Sequence, residues 1–151
     1  MRALIQRVNR VTVSINGVTH SSIGHGILVL LGVRKGDTET DALAVAEKCS
    51  SLRIFDDTDG KMNLSVIDVQ GEVMVVSQFT LYGDTRKGTR PSYSDAAGPE
   101  LAESLYNQFI AEMKSRAGQH KVQNGVFKAM MKVELINDGP VTVLVESKEK
   151  Q

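Results

Sequence analysis

Val11-Thr12-Val13-Ser14-Ile15-Asn16-Gly17-Val18 is the stretch on which the fold turns. Val11, Val13 and Ile15 share one face and Thr12 and Ser14 the other, the period of a half-buried strand. Asn16-Gly17 then offers the two positive-φ positions of a tight hairpin turn. The first strand extends back to residue 2, and the return strand runs from Val18 to Ile23. After a Gly24-His25-Gly26 turn, Ile27-Leu28-Val29-Leu30-Leu31 is apolar on both faces, as a central strand is.

Further along, the period changes. Ala42, Val45, Ala46, Cys49 and Leu52 mark a helix over residues 39 to 52, with Thr38 as its N-cap and Asp41 three residues on. Arg53-Ile54-Phe55 reads as a short strand and residues 56 to 60 as a turn. Val73-Met74-Val75-Val76 heads a strand expected over 72 to 80. Residues 82 to 98, with Gly83, Gly88, Pro91 and Gly98, form a long irregular stretch of the kind that often carries function. A second helix starts near Pro99, shows Leu101, Leu105, Phe109, Ile110 and Met113 as its stripe, and ends at Gly118. Asn124-Gly125 marks a turn. Met131, Val133 and Leu135 alternate as a strand, residues 137 to 140 turn, and Val141 to Val145 is the last strand. Strands that outnumber helices without strict alternation predict one α+β domain. Its sheet is expected to be antiparallel or mixed and barrel-like, with two main helices. The domain is expected to span residues 1–146, followed by a charged tail, 147–151.

A chain of 151 residues can bury a core without disulfides or metals. Its formal net charge is zero, so RNA contact has to come from a local patch rather than a global field. The lone Cys49 reads as a small core residue and suits a reducing compartment. The N-terminus has no signal-peptide pattern and no apolar run reaches membrane-spanning length, which makes the cytoplasm the expected location.

Several familiar chemistries fail on spacing. Gly24-His25-Gly26 precedes a strand and has Val29 where a third glycine belongs, so it is no dinucleotide loop. A calcium loop around Asp57 and Asp59 has Phe55 at its first ligand position and Val66 at the glutamate position. His20, His25 and His120 lack ligand spacing, and no metal is expected. Ser77 lacks the flanking glycines of a nucleophile elbow. No conventional acid–base machinery remains.

Two segments survive: Ser77-Gln78-Phe79-Thr80-Leu81, which ends one apolar run, and Asn137-Asp138-Gly139-Pro140-Val141-Thr142, which opens another. Both put polar groups and backbone amides at the end of a rigid element. The plain reading of the first is a capped strand end. The functional one aims the N–H groups of Gln78, Phe79 and Thr80 at a developing oxyanion, with Thr80 as nucleophile or positioning group. Having no base beside it, Thr80 suits positioning better. Gly139-Pro140 reads as a tight turn; the sequence alone does not set its isomer, since X–Pro bonds are cis in only about 5–6% of cases.

These two segments closely resemble the SQFTL and NxGPVT motifs of the D-aminoacyl-tRNA deacylases. Ala3 to Val8, Arg53-Ile54-Phe55 and Gly60-Lys61-Met62-Asn63-Leu64 resemble the same family, in the same order, and the likeness spans residues 1 to 146. The resemblance implies hydrolysis of the ester of D-aminoacyl-tRNA at the tRNA 3′ end, in a homodimer, with no cofactor. Ser77, Gln78, Phe79 and Thr80 would be catalytic. Gly139 and Pro140 would form a cis dipeptide that reaches into the other subunit's site and rejects L-aminoacyl groups. Arg7 would hold the Gly139-Pro140 carbonyls, or else be an exposed strand charge. Phe127 would wall the pocket, or else pack the core. Glycine has no side chain to reject, so glycyl-tRNA is an expected substrate. The ester's neighbouring 2′-hydroxyl would assist. Arg86, Lys87 and Arg90 form a solvated basic loop that could receive phosphates. The alternatives are an editing deacylase for a mischarged L-amino acid, a non-catalytic tRNA-binding module, and a general hydrolase using Thr80.

Overall fold

The computed structural model describes residues 1–148. Residues 149–151 of the expected tail lie outside the described residues. In chain order the elements are β1 (Arg2–Ile15), β2 (Val18–Ile23), β3 (Gly26–Gly32), α1 (Glu39–Ser51), β4 (Phe55–Asp56), β5 (Met62–Leu64), β6 (Glu72–Ser77), a 3-10 turn (Phe79–Tyr82), α2 (Pro99–Ala117), β7 (Val122–Asn124) and β8 (Lys132–Glu146).

β1 is the spine of the sheet. One edge pairs antiparallel with β3 through Arg2–Val8 and with β2 through Val11–Ile15. The other edge pairs antiparallel with β8 over almost the whole strand. β6 and β7 continue beyond β3 in parallel, each reached by a helical crossover, α1 and α2. The sheet is therefore mixed. It nearly closes on itself, because the Ser21 hydroxyl on β2 donates to the Asn124 carbonyl on β7 at 3.0 Å. Asn16 and Gly17 take φ of 51° and 77°, as the hairpin between β1 and β2 requires.

A bulge explains how one strand serves two cores. Ala3 and Ile5 face the helices, whereas Val8, Val11 and Val13 face the inside of the curled sheet. The register with β8 shifts between Val8 and Arg10, which exchanges the faces that odd residues occupy. The helix-side core joins Ile27, Val29, Leu31, Val73 and Val75 to Val45, Phe109 and Met113. The inner core joins Leu28, Met74 and Val76 to the β1 valines. Arg7 precedes the bulge and so shares the face of Ala3 and Ile5. This is why Arg7, though charged, is only 8% exposed.

The helices form as their ends dictate. Asp41 accepts from the Thr38 backbone N–H at 2.7 Å and its hydroxyl at 2.9 Å. α2 has Pro99 at its start, and Gly118 stops it with φ 112°. Leu105, Tyr106, Phe109, Ile110 and Met113 are buried, but Leu101 remains 38% exposed because it lies in the first turn, ahead of the sheet contact.

Four element assignments differ from the sequence reading. The strand expected to reach residue 80 stops at Ser77. Gln78 N–H makes the last cross-strand bond, to Leu31 O at 2.8 Å, and β3 ends one residue later at Gly32, leaving nothing to pair with. Arg53-Ile54 is not a strand; Phe55–Asp56 pairs with the unforeseen β5. Asn124 ends a strand, β7, instead of opening a turn; the turn falls at Phe127-Lys128. Residues 137 to 140 do not separate two strands. They lie within the single β8, whose pairing with β1 resumes on both sides of them.

Candidate active site

The first candidate segment becomes a small backbone platform. After Ser77 the chain closes into the 3-10 turn, tied by Leu81 N–H to Gln78 O at 3.3 Å and by Gly83 N–H to Thr80 O at 2.9 Å. The N–H of Gln78 is committed to Leu31 O, so it is not an oxyanion donor. Phe79 and Thr80 head the turn, where a helical N–H has no acceptor behind it, and their N–H groups bond to nothing among the described residues. The Gln78 side-chain amide donates to Thr80 Oγ1. That bond occupies a lone pair of the hydroxyl and fixes its rotamer.

This platform borders a pocket of about 660 Å³ lined by Ser77, Gln78, Phe79, Tyr93, Phe127 and Met131 among others. Phe79 and Tyr93 meet edge to face at 5.2 Å between centroids. Phe127 packs at 5.8 Å on Tyr106, whose buried hydroxyl bonds Val75 O at 3.1 Å and lies 3.4 Å from Gly125 O. Burial pushes the Tyr106 phenol up to about 12. The lining contains no carboxylate and no imidazole; its charged side chain is Lys128. Cys49 is far from use as a nucleophile, since burial pushes its thiol up to about 12.

The second segment is an excursion from β8. Val8 pairs with Asn137 and Gln6 with Thr142, so residues 138–141 stand opposite Arg7 alone. Lifted from β1, the backbone of Val141 needs another partner, and the Asn137 carboxamide supplies it. Its Oδ1 accepts from Val141 N–H at 2.8 Å, and its Nδ2 donates to Val141 O at 3.1 Å and to Thr142 Oγ1 at 3.2 Å. Arg7 grips the same excursion from β1. Its Nε donates to Asp138 O and its Nη1 to Ile54 O, both at 2.8 Å, with the Asp56 and Asp138 carboxylates at 3.7 Å. The carbonyl held is Asp138's, not those of Gly139 and Pro140. The exposed-charge alternative is excluded by its burial. The Gly139–Pro140 bond is cis, and Gly139 has φ 143°. A Cβ on Gly139 would lie 2.7 Å from Val141 Cγ2 and 3.1 Å from Arg7 Nη2.

The structure thus brings Ser77, Gln78, Phe79 and Phe127 to one pocket, with Thr80 fastened to it through Gln78. Arg7, Gly139 and Pro140 form a separate cluster that does not line it. Gly139 and Pro140 are exposed. Sequence reasoning missed the bracing side chain of Asn137 and the pocket wall Tyr93, Ala96 and Ala97. An asparagine two residues before Gly-Pro was the available signal for the first. In the long loop, Arg86 forks onto Asp84 at 2.7 to 3.1 Å and holds that carboxyl down at about 2. Arg86 is thus paired within the loop. No group of three or more His, Cys, Asp or Glu that could hold a metal occurs among the described residues. No described helix is long and apolar enough to cross a membrane.

Comparison with known proteins finds relatives that match along the whole chain. A D-aminoacyl-tRNA deacylase of Fervidobacterium nodosum is 56% identical over 149 residues, covering 99% of each chain. Those of Koribacter versatilis and Porphyromonas gingivalis are 53% and 52% identical over 99% and 100% of each chain. Among solved structures, the c-Myc DNA unwinding element binding protein superposes with a TM-score of 0.94 at 40% identity, covering 99% of this chain and 100% of that one. A probable eukaryotic D-amino acid tRNA deacylase shares the fold, with a TM-score of 0.80 at 15% identity over 96% of this chain and 98% of its own. The family model for D-Tyr-tRNA(Tyr) deacylase matches residues 4–146, and the chain belongs to that family of ester hydrolases.

Proposed function

We propose that this protein hydrolyses the ester of D-aminoacyl-tRNA at an apolar pocket bordered by Ser77, Gln78 and Phe79, and selects handedness with the Gly139-Pro140 excursion of a second subunit. The carrying observation is the chemistry at the pocket's edge: two backbone N–H groups without a partner among the described residues, the braced Thr80 hydroxyl, and no carboxylate or imidazole in the lining. Such a site can stabilise an oxyanion and position a reactive ester, but it cannot itself move many protons.

In this reading water adds to the ester carbonyl and the developing oxyanion is received by Phe79 and Thr80 N–H. The tetrahedral intermediate then expels the ribose oxygen, leaving tRNA and amino acid. The neighbouring 2′-hydroxyl serves as the proton relay that the pocket lacks. Thr80, which accepts from Gln78, positions the water or the relay instead of attacking. Replacing the terminal ribose by 2′-deoxyribose should slow cleavage by orders of magnitude. Thr80→Ala should cost about tenfold in kcat, the worth of roughly 1.4 kcal/mol; near-total loss would mean covalent catalysis by threonine.

Selection follows from shape. Main-chain atoms and a proline ring braced by Asn137 and Arg7 exclude an L side chain, while a D side chain points away. Rejection by backbone tolerates many side chains and also admits glycine. In this reading the excursion, which does not line the pocket of its own chain, enters that of a second subunit. The dimer is supported by exposed apolar residues on and near the unpaired outer edge of β8: Met130 (89%), Leu144 (48%) and Ile136 (44%). An enzyme on aminoacyl-tRNA works where translation supplies it, in the cytoplasm.

Deacylation of matched D-Tyr-, L-Tyr- and glycyl-tRNA by the purified protein tests the reading. The expected result is rapid loss of the D and glycyl esters with L-Tyr-tRNA intact. Preference for an L ester would establish the L-editing alternative, protection of all three a binding module, and cleavage of simple esters without tRNA a general hydrolase.

A further inference from the structure

We infer that a polar cleft on the far side of the catalytic turn is a phosphate-binding site for the nucleic-acid part of the substrate, with Arg34 and Lys35 as its main donors. This deepens the functional reading above and rests on it. The cleft, of about 450 Å³, is lined by Arg2, Arg34, Lys35, Asp37, Tyr82 and Lys148 among others. It shares a wall with the apolar pocket: Val33 and Phe79 line the pocket, and their near neighbours Arg34 and Tyr82 line the cleft. A polynucleotide whose terminal ester sits at Phe79 has to leave past one of the pocket's walls. Behind this wall stand Arg2, Arg34, Lys35 and Lys148, in addition to Lys128 in the pocket lining itself.

The carboxylates in the cleft are engaged, and the key cations are not. Asp37 accepts from Arg34 N–H at 2.7 Å and pairs with the terminal ammonium at 2.8 Å. Asp41 caps α1, and Glu146 lies 3.4 Å from Arg2 Nε. Arg2 is itself fixed, donating to Leu81 O at 2.9 Å and stacking at 4.7 Å over the Tyr82 ring. By contrast, the side chains of Arg34, Lys35 and Lys148 make no hydrogen bond and no ion pair among the described residues. The backbone that presents Arg34 and Lys35 is anchored, by an Arg34–Ala96 bridge and by Lys35 N–H to Asp95 O at 3.0 Å. Unpaired cations on a held loop favour phosphate, since the backbone that presents them is already ordered. With no net charge on the chain, RNA needs a local patch such as this one.

The test compares the native enzyme with the Arg34→Ala/Lys35→Ala double variant on two substrates: D-Tyr-tRNA, and D-tyrosyl-adenosine, which has the ester but no phosphate. The expected result is a KM for D-Tyr-tRNA raised about tenfold near 0.1 M salt, kcat within twofold, and a log KM against log salt slope shallower by about 1–2. Turnover of D-tyrosyl-adenosine should not change, and Arg34→Lys should restore part of the KM. An unchanged KM and salt slope, or an equal loss on both substrates, would overturn this inference alone. A native enzyme inert toward both esters would overturn the functional reading as well.

Discussion

The Phe79–Tyr82 turn and the 138–141 excursion are both short departures from a strand, but they are secured in opposite ways. The turn is held mainly through its own backbone; its leading N–H groups are open, and Phe79 is 56% exposed. The excursion is clamped from both flanks by side chains whose hydrogen-bonding capacity goes into backbone: Asn137 from its own strand and buried Arg7 from β1. A region that receives charge needs open donors, and a region that rejects shapes needs to resist displacement. The difference lies in where the polar groups point, not in how many there are.

The largest break in this contrast is expected from Gly139→Ala. With φ 143° and Val141 Cγ2 2.7 Å from a new Cβ, the excursion must shift. The D-to-L ratio of Tyr-tRNA cleavage should fall roughly hundredfold, about 2.7 kcal/mol of discrimination, through a faster L reaction. A ratio left intact would detach selectivity from this segment. Arg7→Ala comes next, because it strips a partner from the Asp138 and Ile54 carbonyls. Thermal unfolding should show a loss of about 2–4 kcal/mol, and the ratio should fall less than for Gly139→Ala. Asn137→Ala should lower the ratio about tenfold, roughly 1.4 kcal/mol, while keeping most D-ester activity. Asn137→Asp, which keeps the bond from Val141 N–H but loses both donors, should fall between. Parallel loss of both rates in these variants would indicate general disorder of the site.

These residues also show what the sequence could and could not say. Alternation at Val11 to Ile15, Asn16-Gly17, Thr38 with Asp41 and Pro99 with Gly118 are local signals, and the hairpin and both helices follow them. β5 and β7 were missed because three residues carry no period and owe their pairing to neighbours distant in sequence. β6 was drawn too long because its end is set by where β3 stops. The site divides the same way. Ser77 to Thr80 and Gly139-Pro140 were both legible as motifs; Ser77 does end a strand, but Gly139-Pro140 lies within β8, and Phe127 meets Ser77 to Phe79 at the pocket. The consumption of Gln78 N–H by Leu31 and of Arg7 by Asp138 depends on tertiary contacts that no spacing reveals, whereas the Arg86–Asp84 pair is local, two residues apart.

The smallest expected effect separates pocket support from selection. Tyr106 anchors Phe127, and its folded phenol titrates near 12 against an ordinary 10.0. A raised value means the folded state holds its proton longer. This contribution is complete below about pH 10 and is lost as pH rises through 12, amounting to roughly 2–3 kcal/mol. Burial raises Tyr82 as well, in the same direction. Unfolding temperatures measured from pH 9 to 12 should decline, and less so for Tyr106→Phe. The D-to-L ratio of that variant should stay at the native value.

The central claim is that one subunit's pocket borrows its sense of handedness from another subunit's excursion. Rates on D- and L-Tyr-tRNA measured across protein concentrations that span subunit dissociation, with molecular mass followed in parallel, test it most directly. The account predicts that the D-to-L ratio falls in step with the dimer fraction. A dissociated protomer that kept the full ratio would contradict it.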